Sequence, residues 1–239
     1  MLDLTRNDFE TLRRDEEFVL YRGRNIDDAS QILLLSPATV NPSPIVLRRL
    51  ENEYFLREAL DPGWSARPMA VAHYMDRMVL ALEDPGGLPL DKIVGRPLDL
   101  AFSLRVAISL FNAIGHLHQS GIVHKDIKPA NVLTDSATGQ VWLMGFGIAS
   151  RLPRECKTPE PPEFLEGTLA YMAPEQTGRM NRSVDSRSDF YSIGVALYQM
   201  LTGSLPFTAS DPMEWVYCHV ARKPTPPSER LANIPIGFS

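Results

Sequence analysis

The chain has 239 residues, 44% hydrophobic and 8% aromatic, a composition ordinary for a soluble globular protein of one two-lobed domain or two small ones. Its formal charge of −5 comes from dispersed acidic residues, so neither a nucleic-acid-binding patch nor an acidic tail is indicated. No apolar run approaches the roughly 18 residues of a membrane span, and the start is unlike a signal peptide. Cys156 and Cys218 lack metal-ligand spacing. We therefore expect a cytoplasmic protein with two free thiols and no membrane insertion.

The first part of the chain, to about residue 80, predicts short strands around one helix. "FVLYRG" (18–23) and "QILLLS" (31–36) are β-like runs separated by a turn-rich segment. "IVLRRLENEYFLREAL" (45–60) has helical spacing of its apolar residues and stops at "DPG". "MVLALED" (78–84) predicts a further strand that ends in the loop "PGG".

The rest of the chain predicts buried helices. The first begins at the cap-like Asp99 and ends at Gly121, with apolar residues around most of its circumference. A second, "SDFYSIGVALYQMLTG", is closed by Gly203, and a third follows at 211–221. The fold class is therefore α+β, with a small β-rich lobe over residues 1–84 and a mainly helical large lobe over 85–239. The proline-rich stretch 157–167 predicts a loop.

One octapeptide, "HKDIKPAN" at 124–131, carries a constellation suited to phosphoryl transfer. It places a carboxylate, an ammonium group and an amide within six residues. Asp126 could accept the proton of a substrate hydroxyl, Lys128 could neutralise the moving phosphate, and Asn131 could hold a metal ion.

This octapeptide resembles the catalytic loop of protein kinases, with Lys125 in place of the usual arginine. "GFG" (145–147), "GTLAYMAPE" (167–175) and "SRSDFYSIGVALYQMLTGSLPF" (186–207) follow in the order of the corresponding kinase segments. The resemblance implies the bilobal protein-kinase fold. Lys128 with Thr168 is similar to the serine/threonine class, in which the threonine bridges the loop aspartate and lysine.

The same resemblance implies roles for further residues. Glu53, on the small-lobe helix, and Glu83, at the lobe boundary, are at nucleotide-binding positions. Asp189 matches the buried aspartate that ties down the catalytic-loop backbone, and His124 and Phe146 match core residues. The sequence of residues 167–207 most resembles the kinase-like domain at the amino end of large bacterial sensor proteins that also carry a histidine kinase. That narrower likeness implies a protein partner or protein substrate in two-component-type signalling.

The region that covers the nucleotide in kinases departs from the pattern. Arg13, Asp15 and Phe18 fall on the three glycine positions, and residues 1–21 contain no glycine. Bulky side chains prevent backbone amides from approaching phosphates. Asp15, Glu16 and Glu17 bring negative charge towards a polyanion, which is repulsive at short range.

Two further residues of an active site are missing. Leu35 falls where the resemblance implies the strand lysine, and the first lysine of the chain is Lys92. Four arginines of the small lobe are alternatives, either as substitutes for that lysine or as ordinary solvated surface: Arg22, Arg24, Arg48 and Arg49. Gly145 stands where the resemblance implies the main magnesium ligand, so only Asn131 remains of the metal pair. Loss of one electrostatic donor of this kind commonly costs ~3–4 kcal/mol in the transition state.

The end of the chain is the last departure. In kinases Glu175 would pair with an arginine between the final helices, and two helices would follow residue 221. Here 222–239 contains four prolines, so we expect a large lobe without its last helices, either as a truncated copy or as a piece of a longer chain.

Three functions remain open. The first is a catalytically silent kinase-like module that acts by interaction. The second is a working serine/threonine kinase that uses ATP and Mg²⁺ through unorthodox nucleotide binding and phosphorylates a substrate, Thr158 or Thr168. The third is a decayed fragment without function.

Overall fold

The computed structural model describes residues 4–151, 167–180, 182–232 and 234–238. Cys156 and Thr158 lie outside the described residues, as does most of the proline-rich stretch. The predicted α+β fold is confirmed, because a five-stranded sheet and one helix precede a mainly helical second part.

The first part of the chain is an antiparallel sheet in the order β1-β2-β3-β5-β4. Its strands are β1 (Asn7–Arg14), β2 (Phe18–Asn25), β3 (Gln31–Pro37), β4 (Pro68–Tyr74) and β5 (Arg77–Glu83). The three strands predicted from apolar runs are confirmed as β2, β3 and β5. The sequence did not predict β1 or β4, because these edge strands carry few buried apolar residues.

Helix α1 (Pro44–Phe55) packs against the sheet. The Ser43 side chain accepts a hydrogen bond from the Val46 amide at its start. The buried side chains Val46, Leu50 and Glu53 recur with helical spacing, so the same face that contacts the sheet also carries a carboxylate into the interior. This placement makes Glu53 a residue of the cleft below the sheet.

The second part is built around two long helices, α2 (Leu100–Gln119) and α3 (Ser186–Thr202), followed by α4 (Pro212–Ala221) and the single turn α5 (Pro227–Arg230). Asp99, Asp185 and Asp211 accept amide hydrogen bonds at the starts of α2, α3 and α4. Helix α3 ends at Gly203, whose φ of +73° is left-handed, as predicted. The main apolar core joins α2 and α3 to the short strands beneath the cleft.

Within the described part of the chain, α2 is the one helix long and apolar enough to cross a membrane by length and composition. The expectation that no segment approaches this length is therefore wrong. Its buried residues, among them Val106, Leu110, Ile114 and Leu117, belong to the apolar core. Core helices of soluble proteins pass the same test, so the feature is weak evidence of membrane insertion.

Short strands hold the segment that carries the phosphoryl-transfer motif. Two small sheets are formed, one from β6 (Leu88–Pro89), β8 (Val132–Thr134) and β9 (Val141–Leu143), and one from β7 (Ile122–Val123) and β10 (Ser150–Arg151). Residues 124–131 run from β7 to β8, and 144–149 run from β9 to β10. Both loops therefore begin and end on paired strands and face the same cleft.

Candidate active site

A cavity of about 540 Å³ lies between the sheet and the helical part. It is lined by the β1–β2 turn, by α1 and by the two loops 124–131 and 144–149. Its charged lining contains four cations, Arg13, Arg14, Arg49 and Lys128. The carboxylates that line it are Asp15, Glu16, Glu17, Glu53, Asp91 and Asp126. Carboxylates thus outnumber cations, which is unfavourable for a polyphosphate.

At the floor of the cavity, the structure brings the three predicted catalytic residues together. The Lys128 ammonium lies 2.9 Å from Asp126 Oδ2 and donates to Thr168 Oγ1 at 2.6 Å. The Thr168 amide and hydroxyl both donate to Asp126 Oδ1, each at 3.0 Å. Threonine therefore bridges the aspartate and the lysine, as the resemblance implies. The carboxylate is available as a proton acceptor only in competition with these bonds.

Asn131, the predicted metal ligand, is turned towards the same aspartate. Its Nδ2 atom donates to the Asp126 carbonyl and to Asp126 Oδ2, both at 2.9 Å. The Asn131 side chain also lies against Gly145, where an added Cβ would come within 2.6 Å of Asn131 Cγ. Gly145 has a left-handed φ of +79°. The space beside the asparagine is too small for a side chain at 145 without rearrangement.

A buried aspartate fixes the backbone of the catalytic loop. Asp189 on α3 is fully buried and accepts the amides of His124 and Lys125 at 2.9 and 2.8 Å. The His118 ring nitrogen Nε2 lies 2.8 Å from Asp189 Oδ2. Lys125 takes a left-handed φ of 69°, and its carbonyl accepts a hydrogen bond from Gln176. The unusual backbone angle is thus held by bonds on both sides.

His124 is a core residue rather than an exposed acid or base. Its ring is fully buried, packs against Phe146 with the ring centres 4.8 Å apart and the planes tilted by 45°, and places Nε2 3.1 Å from the Met144 carbonyl. Burial lowers the pKa of His124 from its usual value, because the charged form loses its hydration.

Glu53 meets the backbone of the loop that follows β9. It is 1% exposed, and its Oε1 accepts the Gly145 amide at 2.9 Å. Burial raises the pKa of Glu53 to about 7, although bonds from the Gly145 and Phe146 backbone and the charge of Arg13 oppose the shift. No lysine among the described residues pairs with it, since Leu35 lines the cavity at the predicted lysine position.

The arginines proposed as substitutes for that lysine do not behave alike. Arg22 forms a two-pronged ion pair with the buried Asp84, at 2.6 and 3.0 Å, and does not line the cavity. Arg24 and Arg48 are exposed. Arg49, on α1, lines the cavity. Of the four, only Arg49 therefore lies where it can contact a ligand in the cleft.

Sequence reasoning missed Arg13 as a cation of the site. The sequence alone predicts only bulk at a glycine position here, yet the Arg13 side chain is 7% exposed, lines the cavity and acts electrostatically on Glu53. No local signal could have placed it, because β1 was not predicted and Arg13 is buried beside Leu12 at a β-bulge between Thr11 and Arg13.

Glu83 does not face the cavity. Its carboxylate pairs with Arg67 at 2.6 Å on the outer edge of the sheet, where both side chains are partly exposed. Its backbone amide bonds to the Arg67 carbonyl. The side chain is thus engaged elsewhere, and its nucleotide-binding role stays a prediction.

Behind the charged lining, apolar side chains of the two parts of the chain pack together. They form one cluster in which each member is at most 6% exposed, and Leu33, Leu82 and Leu133 are completely buried. Its members at this junction are Leu12, Leu20, Leu33, Leu82, Leu133 and Met144. A purine base needs a slot between two apolar surfaces, whereas here the leucines from both sides belong to one continuous core.

Comparison with known proteins agrees with this architecture. The family model described as protein kinase domain matches residues 69–229, which is more than half of the chain. The chain belongs to the protein kinase family. It is similar to a probable serine/threonine-protein kinase of Corynebacterium efficiens, 34% identical over 194 residues, which cover 77% of this chain and 29% of that protein.

It is also similar to the serine/threonine-protein kinase PknB of Mycobacterium tuberculosis, 39% identical over 153 residues, which cover 63% of this chain and 24% of PknB. The probable serine/threonine-protein kinase PknB of Bifidobacterium longum is 40% identical over 131 residues, 55% of this chain and 19% of that protein. The chain thus spans less than a third of the length of these relatives. The kinase domain is of the serine/threonine type.

The family implies ATP and Mg²⁺, and the residues of this cleft do not fit them. Magnesium prefers several oxygen ligands in octahedral geometry, but Gly145 supplies no side-chain oxygen, and no group of three His, Cys, Asp or Glu side chains suited to a metal ion occurs in the described ranges. The β1–β2 turn, which would face the phosphates, carries the carboxylates of Asp15, Glu16 and Glu17. The junction behind this turn is filled by leucines. Of the residues by which kinases contact the phosphate and the metal ion, this chain keeps Lys128 and Asn131.

Proposed function

We propose that this kinase domain transfers no phosphate and acts by binding another protein, as a regulatory or scaffold module in bacterial signalling. The observation that carries the proposal is the pairing of Glu53. Its carboxylate bonds to the Gly145 amide in a position where Leu35 offers no cation and Gly145 no metal ligand. The two groups that clamp and neutralise the transferred phosphate are therefore absent together.

The intact catalytic loop is compatible with this proposal. The groups of Asp126, Lys128 and Thr168 satisfy one another by hydrogen bonds within the chain. Removing any of them would leave partly buried polar groups without partners, which costs stability. The loop has a structural reason to keep these residues whether or not it acts on a substrate.

The test is a thermal-shift titration of the protein with ATP, with and without Mg²⁺. A ligand at 100 times its dissociation constant stabilises a fold by about 2.7 kcal/mol, which is easily visible. We expect no shift up to millimolar ATP in either condition, together with a cooperative melt. A magnesium-dependent rise in melting temperature would contradict the proposal.

An active serine/threonine kinase is the second candidate, favoured by the geometry of Asp126 with Lys128 and by the buried cation Arg13 beside Glu53. It requires transfer of labelled phosphate from ATP to a protein substrate, Thr158 or Thr168. Asp126→Asn separates the two candidates. It should abolish transfer by an enzyme, whereas an interaction module should retain its partner with Asn at this position.

A further inference from the structure

Two arginines reach the upper part of the cavity from different elements. Arg13 comes from the end of β1 and is 7% exposed, and Arg49 comes from α1 and has a side chain 21% exposed. In both, Nε is buried and has no hydrogen-bond partner among the described residues. A buried donor without an acceptor is costly, so these two guanidinium groups have binding capacity that the fold does not use.

The carboxylates that face these arginines come from the β1–β2 turn. Glu17 forms an ion pair with Arg49 Nη1, and Asp15 Oδ2 lies 3.3 Å from Arg13 Nη1. The other oxygen of Asp15 accepts the amides of Glu17 and Phe18 at 3.0 and 2.7 Å. This local bonding fixes the turn and therefore directs its acidic side chains at the arginines.

We propose that this acidic turn is the built-in occupant of an anion-binding site: Asp15 and Glu17 take the positions around Arg13 and Arg49 that the phosphates of a tripolyphosphate would otherwise fill. Guanidinium groups bind carboxylates and phosphates through the same forked geometry, so one can replace the other. While the carboxylates are in place they neutralise both cations and repel a phosphate at short range. This inference rests on the proposed function, because the turn could not fill the cleft of a wild-type protein that bound ATP there.

The ligand class follows from the surroundings of the arginines. They line a cavity, and no group of three His, Cys, Asp or Glu side chains suited to a metal ion occurs in the part of the chain described, so the anion is held without a divalent ion. The leucine-filled junction behind the cavity offers no slot for a base. The phosphate chain alone should therefore carry the binding, and adenosine should add nothing to it.

The experiment is a calorimetric titration with sodium tripolyphosphate in EDTA, using the whole chain. The test variant is Asp15→Asn with Glu17→Gln, which removes both charges while the asparagine keeps the oxygen that accepts the turn amides. Glu16→Gln is the matched control, because Glu16 is exposed in the same turn and forms no ion pair among the described residues. Arg13→Gln with Arg49→Gln in the test background removes the cations.

We expect the test variant to bind tripolyphosphate with a dissociation constant roughly tenfold or more below that of wild type, since two opposing charges are removed at contact distance. Glu16→Gln removes one charge from the same turn without freeing an arginine, so it should gain much less affinity than the test variant, and the added arginine substitutions should abolish the gain. Should the double change prevent folding, Glu17→Gln alone, which breaks the pair with Arg49, provides the same comparison.

Three results would overturn the inference: equal affinities of the test variant and Glu16→Gln, wild-type affinity as high as that of the test variant, or a gain that persists without the arginines. ATP in EDTA is a separate arm. Affinity of the test variant for ATP no higher than for tripolyphosphate supports the site as described. Markedly tighter binding of ATP would overturn the claim that the base has no slot. The proposed function is tested independently, by magnesium and ATP on wild type.

Discussion

Replacing Glu53 by glutamine should make the protein more stable, and increasingly so as the pH rises. The carboxylate is 1% exposed, and burial raises its pKa to about 7 from the ordinary value of 4.5 that it has in the unfolded chain. Between these values the unfolded state releases its proton while the folded state retains it. Increasing pH therefore favours unfolding, and the penalty is absent below about pH 4.5 and complete above about pH 7.

The size of the effect follows from the shift. About 2.5 units of pKa correspond to about 3 kcal/mol of unfolding free energy, since each unit is worth 1.36 kcal/mol. Glutamine has no such penalty, and its oxygen can still accept the Gly145 amide. The difference in unfolding free energy between Glu53→Gln and wild type should therefore rise by up to about 3 kcal/mol from pH 4.5 to pH 8.

Urea denaturation at half-unit steps of pH measures this difference. His124 and His219, whose pKa values burial lowers, give both proteins an opposite pH dependence, which cancels in the subtraction. Glu51→Gln is the matched control, because Glu51 is exposed on the same helix. A difference that stays constant with pH, or a control that shows the same slope as Glu53→Gln, would refute the reasoning.

Three further substitutions should lower stability, and a fourth, Arg67→Gln, is a control; each is measured by urea denaturation. Asp189→Ala leaves two catalytic-loop amides without acceptors and should cost about 3 kcal/mol, so a loss below 1 kcal/mol would contradict the anchoring role. Gly145→Ala should cost at least about 1 kcal/mol, because its φ is +79° and the added methyl meets the catalytic-loop asparagine. Arg22→Gln leaves the buried Asp84 unpaired and should cost about 3 kcal/mol, whereas Arg67→Gln at an exposed pair should cost under about 1 kcal/mol. Equal losses at the two arginines would be inconsistent with this burial.

The sequence predicted the parts of the fold whose patterns are local. The helix starts at Asp99 and Asp211 and the end at Gly203 are confirmed, because caps and left-handed glycines are set by a few adjacent residues. Strands β1 and β4 were not predicted, since β1 is largely polar and β4, with the sequence PMAVAHY, lacks a regular apolar–polar alternation. Their position depends on pairing with β2 and β5, which is a long-range property.

The site was predictable where one short motif carried it and not where distant elements meet. Asp126 and Lys128 are two residues apart, so their proximity in the structure follows from the motif. Arg13 and Arg49 are 36 positions apart, and only the packing of α1 beneath the sheet brings both to the cavity. No spacing rule links them. The resemblance places a cation at the strand position of Leu35, whereas the structure supplies one from Arg13, at a glycine position of the family pattern.

Preserved catalytic residues are weak evidence of catalysis in this domain, because their bonds also hold the cleft together. The amide and hydroxyl of Thr168 connect residues after 166 to Asp126, and Lys128 completes the triangle. Substitution of these residues would remove the contacts from an inactive chain, just as it would remove the activity of an enzyme. Both kinds of protein therefore have a reason to keep them. Residues whose only use is to handle ATP and metal are the sharper indicators. The lysine and the aspartate are both missing, since Leu35 belongs to the buried apolar cluster and Gly145 leaves no room for a side chain beside Asn131.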